Sequence, residues 1–185
     1  MESLFVSTLV VAIAEIGDKT QLLALVLAAR FRKPWPVIWG ILLATLANHA
    51  AAGAVGAWVA HQISQEVLRW GLVLSFFAMA IWALIPDKID DEVPNGKHSH
   101  GAFLTTLVAF FLVEIGDKTQ VATVALAMHY QALGWVVAGT TLGMLLANVP
   151  VVLVGNAAAG KIPMNWVRRV AAALFALLGV LTLWS

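Results

Sequence analysis

The sequence predicts an all-α integral membrane protein: six transmembrane helices built as a 3+3 inverted-topology repeat, with both termini on the non-cytoplasmic side. Three observations carry this expectation. First, the chain of 185 residues is 61% hydrophobic and 11% charged, with a mean hydropathy of +0.89. A soluble domain carries about 25% charged residues, so too little polar surface is present to cover a water-soluble globule of this size. Second, six stretches approach or exceed the roughly 20 apolar residues that a helix needs to cross a bilayer core. Third, the heptapeptide Glu15-Ile16-Gly17-Asp18-Lys19-Thr20-Gln21 returns unchanged as Glu114-Ile115-Gly116-Asp117-Lys118-Thr119-Gln120.

Taken in order, the predicted spans are 4–29, 35–59, 67–85, 102–128, 133–157 and 166–184. The first lacks the basic start of a signal peptide and contains Glu15 and Asp18, so it is read as a membrane helix that is not cleaved. Charged and helix-breaking residues separate the spans: Arg30 to Pro34, His61 to Glu66, Pro86 to His100, His129 to Gln131, and Gly160 to Pro163. Trp35, Trp39, Trp58, Trp70, Trp82, Trp135, Trp166 and Trp184 fall near these proposed ends, where an indole prefers the headgroup layer. Loops one, three and five hold Arg30, Arg32, Lys33, Lys88, Lys97, Lys161, Arg168 and Arg169, against Arg69 alone on the other side. The positive-inside rule then puts those loops in the cytoplasm.

The two halves also match outside the heptapeptide. Leu46-Ala47-Asn48 pairs with Leu146-Ala147-Asn148, Gly56 with Gly155, Arg69 with Arg168, and Phe76 with Phe175. Residues 1–86 form the first three-helix repeat, 87–100 a polar cytoplasmic linker, and 101–185 the second repeat. Three is odd, so the second half enters from the opposite face; transporters built this way hold their site at the midplane between repeats. Small residues at Ala50 to Ala57, and Gly139, Gly143 and Ala147 at four-residue spacing, mark close helix packing at the repeat interface.

Several chemistries are excluded. The net charge of +1 and the absence of a basic stripe argue against nucleic-acid binding. Without cysteine there is no disulfide and no thiolate ligand, leaving oxygen and imidazole as metal donors.

A charge at the centre of a membrane helix costs about 2.5–3.5 kcal/mol on insertion scales, so such groups face a bundle interior and usually work. On a continuous helix Glu15, Asp18 and Lys19 share one face, while Gly17 and Thr20 turn to its flanks. With the second copy inverted, Glu15, Asp18, Glu114 and Asp117 form a four-carboxylate cluster that suits Mg²⁺, Ca²⁺ or Mn²⁺. The amide oxygens of Gln21, Gln120, Asn48 and Asn148 and the hydroxyls of Thr20 and Thr119 are candidates to complete the coordination. Charge balance comes from Lys19 and Lys118, which leave two negative charges for one divalent cation or for protons. Gly17 and Gly116 admit two readings, close packing or a local unwinding that lends carbonyls to the ion. A structural Glu15–Lys19 pair would not require two carboxylates per copy. His49 faces Val149 in the repeat, so its case for proton transfer is weaker, and His98 and His100 belong to a solvated loop.

The doubled Glu-hydrophobic-Gly-Asp-Lys-Thr signature on a six-helix chain resembles the cation/manganese transporters that include eukaryotic Golgi cation/proton exchangers and bacterial MneA-type manganese exporters. The resemblance implies export of Mn²⁺, with Ca²⁺ as the other family substrate, against inward protons. It also implies that Glu15, Asp18, Glu114 and Asp117 carry the ion, with Thr20 and Thr119 at the hydroxyl position. The expectation is Mn²⁺/H⁺ antiport by alternating access, the two repeats rocking about the acidic cluster. Mn²⁺ and protons are then the substrates, the lipid bilayer is the partner, and no permanent cofactor is expected. Eukaryotic members carry an N-terminal extension that this chain lacks, which favours a bacterial inner-membrane protein. A Ca²⁺/H⁺ exchanger or passive cation channel stays open as an alternative. A membrane-embedded lipid phosphatase is disfavoured, because neither arginine nor serine accompanies the acids in the motif.

Overall fold

The computed structural model describes residues 1–85, 101–154 and 164–184. The predicted linker 87–100, with His98 and His100, and the turn at 160–163 lie outside the described residues. Among the described residues four helices are long and apolar enough to cross a membrane: α3 (Pro34–Gln62), α4 (Gln65–Ala83), α7 (Leu133–Val154) and α8 (Met164–Trp184).

The first and fourth predicted spans are not single helices. Each is a pair of half-helices, α1 (Glu2–Glu15) with α2 (Lys19–Phe31), and α5 (Ala102–Glu114) with α6 (Lys118–Tyr130). Fourteen residues rise about 21 Å, short of a hydrocarbon core of about 30 Å, so α1 does not cross alone. The chain departs from helix at Ile16, whose ψ is 115°, and at Ile115, whose ψ is 121°. Gly17 and Gly116 follow with φ of +79° and +78°, a left-handed conformation that costs other residues about 1–2 kcal/mol. No atom lies within 4 Å of the place a Cβ would occupy at Gly116, so conformation rather than close packing calls for glycine there.

Asp18 and Asp117 then cap the second half-helices. The Asp18 carboxylate accepts from Lys19 N at 2.6 Å, and Asp117 from Thr119 N at 3.4 Å. Gln21 and Gln120 reach back to accept from Gly17 N and Gly116 N at 2.8 and 2.7 Å. This resembles a capping box displaced by one residue; the glutamine closes it alike in both copies, while the aspartates accept from different backbone N–H groups.

The halves interlock. α1 is seated mainly on α7, α5 on α3, and α4 on α8, so the most extensive contacts join one half to the other. Gly139 and Gly143 let α1 approach closely: a methyl at either would lie 2.5 Å from Leu4 O or 2.6 Å from Thr8 O. Gly40 does the same for α5, with a methyl there 2.9 Å from Phe103 O. Gly40 and Gly139 are repeat mates, as are Phe103 and Leu4, so the two seams are one contact made twice.

One apolar cluster joins α1, α4, α6 and α8 around Phe76, Leu126 and Phe175, and a second joins α2, α3, α5 and α7 around Leu27, Ile41 and Phe110. The outer surface carries Phe5, Leu74, Leu112, Leu181 and seven of the eight tryptophans, whereas the four acids of the two motifs lie inside. Apolar outside and ionisable inside is the distribution of a multi-pass membrane protein.

Candidate cation site

Both helix breaks meet at the centre of the bundle, and the ionisable groups of the two motifs meet with them. Glu15 and Glu114 are fully buried, and Asp18 and Asp117 nearly so. Carboxylate oxygens of Glu15, Asp18 and Asp117 lie within 4.8 Å of one another. Glu114 joins through Thr119, whose hydroxyl donates to Glu114 Oε1 at 3.0 Å and approaches Asp117 Oδ2 at 3.2 Å.

The break changes which residues face the acidic cluster. Thr20 and Thr119 do not turn away to the flanks as a continuous helix would require. The chain reverses its helical phase at Gly17 and Gly116, and each threonine hydroxyl donates to the glutamate five residues before it. Gln21 and Gln120 are drawn the other way. Their amide oxygens accept from the glycine N–H groups, and their amide nitrogens donate to Ala147 O at 3.0 Å and Asn48 Oδ1 at 3.4 Å. In this geometry the glutamines hold the kinks closed and tie each to the facing long helix.

Asn148 Nδ2 donates to Glu15 Oε1 at 3.2 Å and also meets Met144 O and Sδ at 3.1 and 3.0 Å. Its structural counterpart is His49, at the same offset that relates Gly40 to Gly139 and Glu15 to Glu114: Nε2 lies 3.2 Å from Glu114 Oε1, while Asn48 Nδ2 donates to Phe111 O at 3.0 Å. The sequence pattern undervalued His49 because matching Asn48 with Asn148 set it against Val149, one position out of step with the way α3 and α7 pack. The available signal was a histidine beside Asn48 in the middle of a long apolar helix. Glu15 Oε2, Glu114 Oε2 and Asn148 Oδ1 are buried with no hydrogen-bond partner among the described residues. All three are acceptors. A buried acceptor left without a donor is costly unless a proton or a cation occupies it.

The lysines differ as well. Lys19 Nζ bridges to Asp117 Oδ1 at 3.2 Å across the two halves, while Lys118 lines a cavity of about 20 Å³ with Gly17, Asp18 and Arg168. That volume holds about one water-sized particle.

The profile of the family described as divalent cation/proton antiporter GDT1 matches residues 3–91 and 102–185. The chain belongs to that family. Each matched stretch contains one copy of the heptapeptide, so the duplication lies within the family match. Among its relatives, this GDT1-family antiporter is 55% identical over 183 residues to a Vibrio cholerae serotype O1 protein described as a candidate manganese exporter, covering 98% of this chain and 90% of the other. It is 28% identical over 203 residues to the GDT1-like protein sll0615 of Synechocystis sp., covering 96% and 94%. With GDT1-like protein 3 of Oryza sativa subsp. indica it shares 28% over 202 residues, covering 94% and 71%. No solved structure matches. The family is one of transporters rather than enzymes.

A measurable consequence follows for the lysine at the bridge. Lys19 is 34% exposed, and its ammonium sits on the Asp117 oxygen that a cation at this cluster would need. Lys19→Met is expected to tighten Mn²⁺ binding about fivefold, the scale of the roughly 1 kcal/mol carried by a partly exposed ion pair. Calorimetric titration of the purified variant with Mn²⁺ checks this; unchanged or weaker binding would refute competition.

Proposed function

We propose that this GDT1-family antiporter exports Mn²⁺ from the bacterial cytoplasm across the inner membrane in exchange for protons, by alternating access around Glu15, Asp18, Glu114 and Asp117. The observation that carries the reading is the buried set of acceptor atoms without donors at the meeting point of two broken helices. Mn²⁺ is preferred to Ca²⁺ because the Vibrio relative at 55% identity is described as a candidate exporter of manganese.

In this reading each broken pair counts as one crossing. Six crossings then form two inverted halves, 1–86 and 101–185, joined by the cytoplasmic linker 87–100, with both termini outside. The distribution of Lys and Arg supports that orientation. It assigns α1 and α6 to the outer half of the membrane and α2 and α5 to the cytoplasmic half.

The α4–α8 pair supplies the asymmetry that alternating access needs. α4 packs on α6 and α8 on α1, but the pair meets α2 and α5 at most lightly among the described residues. Phe76, Phe175, Leu72 and Leu126 close the outer half, whereas the small cavity at Asp18 lies beside Ala83, Val167 and Arg168, toward the cytoplasmic ends of α4 and α8. The repeat mates of Ala83, Val167, Arg168 and Ala171 are Thr182, Leu68, Arg69 and Leu72, and they line a cavity of about 630 Å³ at the opposite ends of the same pair. A swing of α4 and α8 from α1 and α6 toward α2 and α5 exchanges closed and open sides. Because the halves interlock, each broken helix pair travels with the other half's second helix, and the halves do not rock as separate bodies.

The test is proton movement in liposomes containing the purified protein, with Mn²⁺, Ca²⁺ and Mg²⁺ gradients imposed separately. Proton flux driven by Mn²⁺ supports antiport. Metal flux without proton movement indicates a channel, stronger flux with Ca²⁺ a Ca²⁺/H⁺ exchanger, and no flux with any of the three overturns the proposal.

A further inference from the structure

We infer that His49 is a nitrogen ligand to the transported ion and the residue by which this site prefers Mn²⁺ to Ca²⁺; the inference rests on the reading of the carboxylate cluster as the Mn²⁺ site. The two halves of the site stop matching at one donor. Glu15 is met by the amide of Asn148, while Glu114 is met by the imidazole of His49. Asn48 takes the place that Ala147 holds in the other half, and meets Phe111 O and Gln120 where Ala147 O meets Gln21. An imidazole therefore stands where symmetry would put an amide.

His49 is fully buried, and its Nε2 lies 3.2 Å from Glu114 Oε1. Two donors bound at right angles to an ion with bonds of about 2.2 Å, between the Mg²⁺ and Ca²⁺ ranges, lie about 3.1 Å apart. The pair is thus spaced as adjacent ligands of one octahedral ion. Glu114 Oε2, the other oxygen of that carboxylate, is buried without a hydrogen-bond partner among the described residues, so the pair has an acceptor left to offer. The chain of contacts from His49 through Glu114 and Thr119 to Asp117 is continuous with the cluster at Glu15 and Asp18.

The chemistry decides between ions. Ca²⁺ and Mg²⁺ take oxygen, and neither gains from exchanging an oxygen for imidazole nitrogen. Mn²⁺ is a first-row transition ion that accepts nitrogen alongside carboxylate. One nitrogen among oxygens also avoids the multi-imidazole set favoured by Zn²⁺ and Cu²⁺.

The experiment is pulsed electron paramagnetic resonance of Mn²⁺ bound to the purified full chain, made with natural and with ¹⁵N-labelled histidine, and repeated on His49→Gln. The expected result is a nitrogen coupling that changes with the isotope and is absent in His49→Gln. In liposomes, the Mn²⁺-to-Ca²⁺ transport ratio of that variant is expected to fall about tenfold. Bound Mn²⁺ without nitrogen coupling, or a coupling retained in the variant, overturns the assignment while leaving the carboxylate site intact. Failure of the unaltered protein to bind Mn²⁺ overturns the cation site itself. If His49→Gln does not fold, the isotope comparison on the unaltered chain and the variant His49→Asn carry the same decision.

Discussion

Glu15→Gln and Glu114→Gln are each expected to lower Mn²⁺-driven proton flux by about 100-fold or more, with the protein still present in the membrane. Both side chains are fully buried, and each accepts a hydrogen bond from the threonine of its own motif, which an amide oxygen can still accept. What the amide removes is the charge that a divalent cation needs once it has left water. A loss of about 100-fold corresponds to roughly 2.8 kcal/mol, the order of one charge-assisted contact in a dry site. Asp18→Asn and Asp117→Asn separate ion binding from folding in the same way, because asparagine caps a helix about as well as aspartate. Asp117→Ala removes both functions and should also destabilise the α6 start. The check is flux per reconstituted molecule, with membrane abundance measured alongside; wild-type flux from all four amide variants would end the site assignment.

Gly139→Leu is expected to prevent accumulation of folded protein, and Gly139→Ala to lower stability by roughly 1–3 kcal/mol, the usual cost of overpacking. The methyl of alanine would lie 2.5 Å from Leu4 O and 2.9 Å from Ser7 Cβ, so α1 must move away. Movement of α1 carries Glu15 with it, and transport should fall even where alanine is tolerated. Gly134 lies in the first turn of the same helix with nothing within 4 Å of its Cβ position, so Gly134→Ala is the matched control. Thermal unfolding in detergent compares the two. Equal midpoints would show that the small-residue seam does not seat α1.

The breaks in the first and fourth predicted spans were legible in part. Asp18-Lys19-Thr20-Gln21 has the spacing of a helix start, an N-cap followed three residues later by glutamine, with a glycine before it. Uninterrupted apolar sequence on both sides hid the signal, since a membrane span is read by its mean hydropathy and a three-residue break barely alters it. The error spread to the threonines. Helical phase is cumulative, so an unseen turn at Gly17 or Gly116 rotates every later side chain, and Thr20 and Thr119 came out on the wrong face.

What the sequence determines by itself is the membrane class, the duplication and the inventory of acids. Each is local: an apolar run, a repeated word, and charges too costly to leave in lipid without use. Tertiary structure alone decides the pairings. Glu15 meets Asn148 across 133 positions, and Glu114 meets His49 across 65. Those contacts arise because Gly139 and Gly40 let backbones close to contact distance, seating each broken helix on the opposite half. Close approach is a property of two surfaces together, and no periodicity along one strand of sequence encodes which imidazole or amide it will bring to a given carboxylate.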